Sequence, residues 1–86
     1  MNIRYYDIGL NLFTPSFPHP EKIIEDAEVA GVRCILTGSD RKDNELVNDF
    51  TKKHGLLGTA GIHPHSTDTA REEDLQRIRE IILTNP

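Results

Sequence analysis

The chain has little cysteine, no tryptophan and no long apolar run. Its one cysteine, Cys34, cannot form a disulfide within the 86 residues, so the sequence is not that of a disulfide-stabilised secreted domain. No stretch reaches the roughly 18 apolar residues of a membrane span. The N-terminus also lacks the charged and apolar regions of a signal peptide. These absences predict a cytoplasmic protein with no membrane partner.

Positive charge is scarce as well. Ten Lys and Arg residues stand against 14 Asp and Glu, the formal net charge is −4, and no window concentrates the cations. This excludes a broad electrostatic attraction to nucleic-acid backbones, which depends on clustered Lys and Arg. Any contact with a phosphodiester must come from a local site. A chain of this length forms one domain at most, so residues 1–86 are predicted to be a single unit.

The sequence does contain a strand followed by a helix, three times over. The pattern predicts strands at Ile3–Ile8, Val32–Thr37 and Leu56–Ile62, and helices at 20–30, 40–54 and 69–83. The apolar faces predicted for the helices are Ile23, Ile24, Ala27 and Ala30 in the first, Leu46, Val47 and Phe50 in the second, and Leu75, Ile78, Ile81 and Ile82 in the third. Thr67 or Asp68 is the predicted cap of the third helix.

Three consecutive βα units predict an α/β fold with a parallel sheet and right-handed crossovers. Such units can form a small open sandwich or the first part of a (β/α)8 TIM barrel, which takes about 250 residues. Their spacing does not separate the two. In either fold the functional loops follow the carboxyl ends of the strands. Those loops are Gly9–Pro18, Gly38–Arg41 and Gly61–Asp68.

A His-Pro-His motif follows the third predicted strand. Pro64 fixes its own φ and favours an extended backbone at His63, so His63 and His65 are predicted to lie on the same side. Two such imidazoles can bind a metal or donate hydrogen bonds to a phosphate. A catalytic zinc site usually has about three protein ligands, so this pair alone is too few. The pair can equally be solvated loop histidines, or hold a metal between two copies of the chain.

The other two loops carry weaker signals. Asp7 and Asn11 can reach the mouth of a pocket at the end of the first strand, or cap backbone groups in the turn. The loop Thr37–Asp40 is centred on Gly38 and can hold an anion through its backbone N–H groups at a helix N-terminus. Alternatively, Ser39 or Asp40 is an ordinary N-cap. Cys34 lies in the middle of a strand, which predicts a buried apolar role.

Taken in order, the strand-end motifs resemble the TatD family of metal-dependent deoxyribonucleases, which are amidohydrolase-like TIM barrels. The similar stretches are Tyr6–Leu12, Ala30–Gly38 and Thr59–His65, of which the last is the most specific. The resemblance implies that the chain is the N-terminal third of such a barrel. It also implies that His63 is catalytic and that Asn11, His63 and His65 bind the substrate phosphate.

The resemblance places the main metal ligands elsewhere. Many relatives have a His-x-His pair on strand one, where this chain has Gly9 and Asn11. The remaining family ligands, a Glu, two His and an Asp, belong to later strands. The resemblance therefore implies no metal ligand in this chain. A divalent metal (Mg, Mn or Zn) is expected only in the complete enzyme, where metal-activated water attacks a phosphodiester of DNA.

The function expected on these grounds is that of a fragment of a TatD-like hydrolase, most specifically a deoxyribonuclease, which is inactive alone. A partial barrel leaves apolar surface uncovered, so self-association or pairing with the missing C-terminal barrel portion is expected. The alternative is a small non-catalytic α/β module that binds phosphate or a partner through the Gly61–Ser66 loop.

Overall fold

A computed structural model describes residues 3–85 and shows the predicted alternation of strands and helices. The elements are β1 (Tyr5–Leu10), α1 (Pro20–Val29), β2 (Val32–Thr37), α2 (Arg41–His54), β3 (Leu57–Thr59), a 3-10 helix (Pro64–Thr69) and α3 (Glu72–Thr84). The predicted unit of residues 1–86 includes Met1, Asn2 and Pro86, which lie outside the described residues. None of the helices described is long and apolar enough to cross a membrane.

The three strands form one parallel sheet in the order β1-β2-β3, so the predicted α/β class is confirmed. Tyr5 lies opposite Val32, and Ile35 lies opposite Leu57. Because the strands are parallel, their carboxyl ends lie at the same edge of the sheet. The loops that follow the strands are therefore gathered at that edge.

Helices α1 and α2 cover the same face of the sheet. Ile24 of α1 and Val47 and Phe50 of α2 belong to one core cluster with Cys34 and Leu36 of β2. Alternate residues of a strand point to the same side, so both helices pack on the face that carries Cys34 and Leu36. A sandwich has helices on both faces of its sheet, whereas a TIM barrel has helices only on the outside. The structure thus has the arrangement of a partial barrel.

Strand β1 differs from its prediction in position and in burial. A buried strand was predicted at Ile3–Ile8, but the strand runs from Tyr5 to Leu10 and most of it is exposed. Tyr5 and Tyr6 are more than half exposed, and Ile8 is 78 % exposed. The reason is that Tyr5 and Tyr6 point to opposite faces of the sheet, and among the described elements β1 packs against β2 alone. Burial of this strand would require further structure beyond residues 3–85.

The second and third helices also bury different side chains from those predicted. In α2, Val47 and Phe50 are buried as expected, but Leu46 is exposed. The rest of the buried face of α2 is polar, and consists of Asp43, Asn44, Asn48 and Thr51. In α3, Ile81 is the one apolar residue of the predicted face that is buried, while Leu75 and Ile82 are exposed. Helix α3 packs against α2 and leaves its other apolar side chains in solvent.

The ends of the elements follow local hydrogen bonding. Asp40 is the N-cap of α2, as one of the alternatives predicted, and its Oδ1 accepts from Asp43 N at 2.8 Å. Gly55 ends α2 in the left-handed conformation, with φ of 65°. The predicted start of α3 is wrong. The 3-10 helix takes up the segment that contains both predicted caps, and α3 begins after Arg71, whose N–H donates to Asp74 Oδ2 at 3.0 Å.

Candidate functional site

The loops after β2 and β3 are joined directly by backbone hydrogen bonds. Gly38 N donates to Thr59 O at 3.1 Å, and His63 N donates to Ser39 O at 2.7 Å. The second bond extends the contact between these two segments beyond the short strand β3. This strand was predicted to reach Ile62 but ends at Thr59. The position of the His-Pro-His motif is therefore set by the loop after β2.

Asn11, the predicted substrate-binding residue of the first loop, lies beside the second loop. It lines a shallow cavity of about 210 Å³ together with Phe13, Ser39 and Lys42. Asn11 is exposed, and neither histidine of the motif lines this cavity. The structure thus brings Asn11 to Ser39, and it brings Ser39 to His63. The loop after β2 therefore lies between the loops that follow β1 and β3 and contacts both.

His63 and His65 are close together, as predicted, but a different backbone achieves it. Their ring centroids are 4.7 Å apart, with an interplanar angle of 63°. His63 has the predicted extended conformation (φ −67°, ψ 145°), yet Pro64 begins the 3-10 helix instead of continuing an extended chain. The fixed φ of proline suits the first position of a helix, which accounts for the turn. His63 is the N-cap of this helix, and its Nδ1 accepts from His65 N at 3.1 Å.

This hydrogen bond defines the chemistry of the His63 imidazole. An Nδ1 atom that accepts a hydrogen bond carries no proton, so neutral His63 has its proton on Nε2. Both His63 and His65 are exposed. His63 therefore presents an Nε2–H donor to an approaching ligand. A phosphate oxygen is a suitable acceptor, whereas Nε2 in this tautomer cannot accept a proton.

The buried polar side chains of α2 support this edge of the sheet. Asp43 Oδ2 accepts from Ser39 N at 2.9 Å and from Ser39 Oγ at 2.8 Å. Asn44 Nδ2 donates to Gly61 O at 2.8 Å, and Gly61 N donates to Asn44 Oδ1 at 3.2 Å. The sequence pattern predicted Leu46, Val47 and Phe50 as the buried face of this helix and did not identify either polar residue. The available signal was spacing, since Asp43 lies four residues before buried Val47 and so on the same face.

A second cavity lies on the other side of the His-Pro-His loop. Its volume is about 250 Å³, and it lies between the 3-10 helix and the first turns of α2 and α3. Arg41, Lys42 and Arg71 line it, together with Asp40 and Asp74. Asp74 Oδ1 lies 3.3 Å from Arg41 Nε, which offsets part of the positive charge. Three cations thus lie beside the loop without forming a broad basic surface.

The residues present do not fit a metal centre of their own. Residues 3–85 contain no group of three or more His, Cys, Asp and Glu side chains placed to hold an ion. In addition, His63 Nδ1 already accepts from His65 N, which leaves only Nε2 for an outside contact. Metal ions in catalytic sites take about three ligands from the protein. The groups that this edge presents include the Nε2–H of His63 and the side chains of Arg41, Lys42 and Arg71.

Comparison with known proteins identifies the relatives of this chain. No family model matches it, and no solved structure matches it. Proteins named 3'-5' ssDNA/RNA exonuclease TatD match over 79 residues, with identities of 35 % in Cronobacter sakazakii, 34 % in Cronobacter turicensis and 33 % in Enterobacter lignolyticus. Each match covers 88 % of this chain and 30 % of the relative, so the chain spans about a third of its relatives' length. Over about a third of their length, the chain is thus similar to nucleases of the TatD type.

Proposed function

We propose that this chain forms the part of a TatD nuclease that binds a phosphate of single-stranded nucleic acid at the His63-Pro64-His65 loop. The observation that carries the proposal is the hydrogen bond from His65 N to His63 Nδ1, which turns the Nε2–H of His63 outward. The relatives are named as exonucleases of single-stranded DNA and RNA, and this supports a nucleic acid as the ligand. DNA is the proposed substrate of the complete enzyme.

We propose a separate role at the phosphate for each residue of the site. His63 is the proposed catalytic residue, because a donor aimed at a phosphate oxygen stabilises the negative charge that develops there during hydrolysis. His65, whose ring lies against that of His63, is proposed as a second phosphate contact. Asn11 is proposed to contact the same ligand from the first loop, across Ser39. Arg41, Lys42 and Arg71 lie where a neighbouring phosphate of the strand can pass.

The chain alone is proposed to bind but not to hydrolyse. Hydrolysis by this family is expected to require a divalent metal (Mg, Mn or Zn), and the described residues form no centre for one. The metal ligands are proposed to come from a part of the complete protein that corresponds to the unmatched length of the relatives. We assign the activity to the cytoplasm, since a single buried cysteine is the usage expected in a reducing compartment.

Binding of a short single-stranded DNA labelled with a fluorophore tests the proposal by anisotropy at low salt. The parent chain is expected to bind weakly, and His63→Ala is expected to weaken binding about tenfold, since a hydrogen bond to a charged group is lost. His19→Ala is the control, because it removes an exposed imidazole from a different loop. Equal affinity of all three proteins would contradict the proposal. If binding depends on His63 but the complete protein does not hydrolyse DNA, the result would support a non-catalytic binding module instead.

A further inference from the structure

An exposed loop can present a donor accurately only if something holds it. The segment between Thr59 and Pro64 has no regular secondary structure, and His63 is exposed at its end. Asn44, which is 3 % exposed, binds this segment through both polar atoms of its side chain. Asn44 lies in the second turn of α2 and does not contact either imidazole ring by hydrogen bonding.

The contact between Asn44 and Gly61 is paired. The side-chain amide donates to Gly61 O at 2.8 Å and accepts from Gly61 N at 3.2 Å. Two antiparallel hydrogen bonds between one amide and one residue fix the distance and also the rotation of that residue. Only one orientation of the amide gives each acceptor a donor, so the assignment of its oxygen and nitrogen follows from the bonding.

The second anchor of the loop comes from the same helix. His63 N donates to Ser39 O at 2.7 Å, and Ser39 is held in turn by the carboxylate of Asp43. Asp43 and Asn44 are adjacent, so one turn of α2 holds the loop at Gly61 directly and at His63 through Ser39. Movement of that turn would move both ends of the segment together.

Gly38 makes room for the Asn44 side chain. A Cβ atom at Gly38 would collide with Asn44 Oδ1 and would lie 2.8 Å from Thr59 O. Any side chain at this position would displace either the Asn44 amide or the backbone of the third loop. The close approach of the three segments therefore depends on Gly38 as well as on Asn44, and this is independent of the hydrogen bonds themselves.

We propose that Asn44 is a positioning residue of the phosphate site, which acts through Gly61 to hold His63 in the turn that directs its Nε2–H outward. The proposal rests on the proposed function, and nothing in the relatives' names assigns such a role. Asn44 does not touch the ligand. It keeps the segment that leads to the donor in a single conformation.

Asn48 provides a matched control on the same helix. It is the same residue type one turn later, it is 4 % exposed, and its side chain is also hydrogen-bonded. Its Oδ1 accepts from Asn85 Nδ2 at 2.9 Å, at the far end of the chain from the loop. Loss of a buried amide lowers stability at either position, but only Asn44 contacts Gly61. A difference between the two variants therefore reports positioning and not stability.

The test compares Asn44→Ala, Asn44→Asp and Asn48→Ala in the whole chain by NMR. Imidazole ¹⁵N shifts report the tautomer of His63, and amide hydrogen exchange reports the order of Gly61 and His65. We expect Asn44→Ala to mix the two tautomers and to speed exchange at both amides about tenfold, as the loss of their hydrogen bonds predicts. Asn48→Ala should leave the tautomer and these two exchange rates at the parent values.

Asn44→Asp keeps the test decisive if Asn44→Ala does not fold. It conserves the shape of the side chain and still accepts from Gly61 N, but it presents an oxygen to Gly61 O in place of a donor. We expect faster exchange at Gly61 and mixed tautomers. Parent values for His63 in a folded Asn44 variant, or equal changes in the Asn44 and Asn48 variants, would overturn the proposal. If DNA binding is nevertheless lost in His63→Ala, the phosphate site remains supported without a role for Asn44. If instead the Asn44 variants alter the tautomers but His63→Ala binds DNA like the parent, the phosphate site is refuted and the positioning role of Asn44 is not.

Discussion

The two nitrogen atoms of the His63 imidazole have different surroundings. On one side its Nδ1 accepts the N–H of His65 and so caps the 3-10 helix, and on the other side its Nε2–H faces solvent. Protonation of Nδ1 would place a hydrogen against the His65 N–H and remove the cap. The cap therefore depends on the tautomer that carries its proton on Nε2, and the same tautomer supplies the Nε2–H donor.

His63→Asn separates the two roles of this residue. Asparagine is a preferred N-cap, so its side-chain oxygen should accept from His65 N and keep the 3-10 helix, whereas alanine should cost about 1 kcal/mol at this cap. The shorter amide does not reach as far as the imidazole Nε2. We expect hydrogen exchange at His65 to stay near the parent value in His63→Asn, and DNA binding to fall as it does in His63→Ala. If His63→Asn bound DNA like the parent, His63 would serve only as a cap.

At this scale the sequence predicted features set by neighbouring residues better than contacts between separate segments. The proximity of His63 and His65 follows from one proline between two histidines, and burial of Cys34 follows from its place in an apolar strand. Burial raises the pKa of the Cys34 thiol, with a further contribution from the charges of Asp7 and Glu28, and this keeps the thiol protonated. The roles of Asp43 and Asn44 depend on partners in other loops, which spacing alone does not reveal.

Helices α2 and α3 are joined by an ion pair that spans 32 residues of sequence. Arg77 Nη2 donates to Glu45 Oε1 at 2.7 Å, and its Nη1 donates to Glu80 within α3 at 3.1 Å. The hydrogen bond from Arg77 lowers the pKa of Glu45 below its usual value. Polar contacts of this kind matter for α3, since most of its predicted apolar face is exposed.

Glu45→Gln should therefore change how stability depends on pH. A carboxylate whose pKa is lower in the folded state stabilises the fold above its unfolded pKa, and this contribution is lost as the pH falls through the folded value. We expect the parent to be more stable than Glu45→Gln at pH 7, and the difference to disappear as the pH falls from the ordinary Glu range through the lower pKa of the folded state. Urea unfolding at neutral and at acid pH measures this.

Asp49→Asn is the control for Glu45→Gln, because it removes a carboxylate from the exposed side of the same helix. Its stability difference from the parent should be small at both pH values. The pair of Arg77 and Glu45 is partly exposed, so a modest effect is expected from screening by solvent. A Glu45→Gln difference that persists unchanged at acid pH would contradict the ion-pair explanation.

Elements whose ends are marked by a residue in the local sequence were predicted more accurately than the others. Helices α1 and α2 lie within two residues of their predicted bounds, because Pro20, Asp40 and Gly55 are local signals. Strand β3 and helix α3 were misplaced since the 3-10 helix between them has no apolar periodicity. Burial of β1 and α3 was predicted from their composition, but burial depends on the elements that cover them.

The molecule as a whole presents an uncovered sheet. Tyr5, Tyr6, Ile8 and Leu57 are each more than half exposed, and β1 and β3 each have a partner on one side only among the described strands. Exposed apolar patches and unpaired strand edges promote association between chains. We therefore expect the 86-residue chain on its own to self-associate as its concentration rises.

Sedimentation velocity over a range of concentrations tests this expectation. Ile8→Lys should shift the chain towards monomer, because it places a charge on the uncovered strand. Val29→Lys makes a similar change at an equally exposed apolar residue, 74 % against 78 %, at the end of α1. It should leave association unchanged. A parent chain that remains a compact monomer with cooperative unfolding would show that the sheet needs no cover.

The parallel register has a consequence for the order in which this chain can acquire its structure. Tyr5 has Val32 as its partner and Ile35 has Leu57, so no two neighbouring strands are joined by a hairpin. During synthesis, β1 can gain no ladder hydrogen bond until α1 and the start of β2 have left the ribosome. Tyr5, Tyr6 and Ile8 are thus open to a nascent-chain chaperone throughout that interval, and they stay more than half exposed after the sheet has formed.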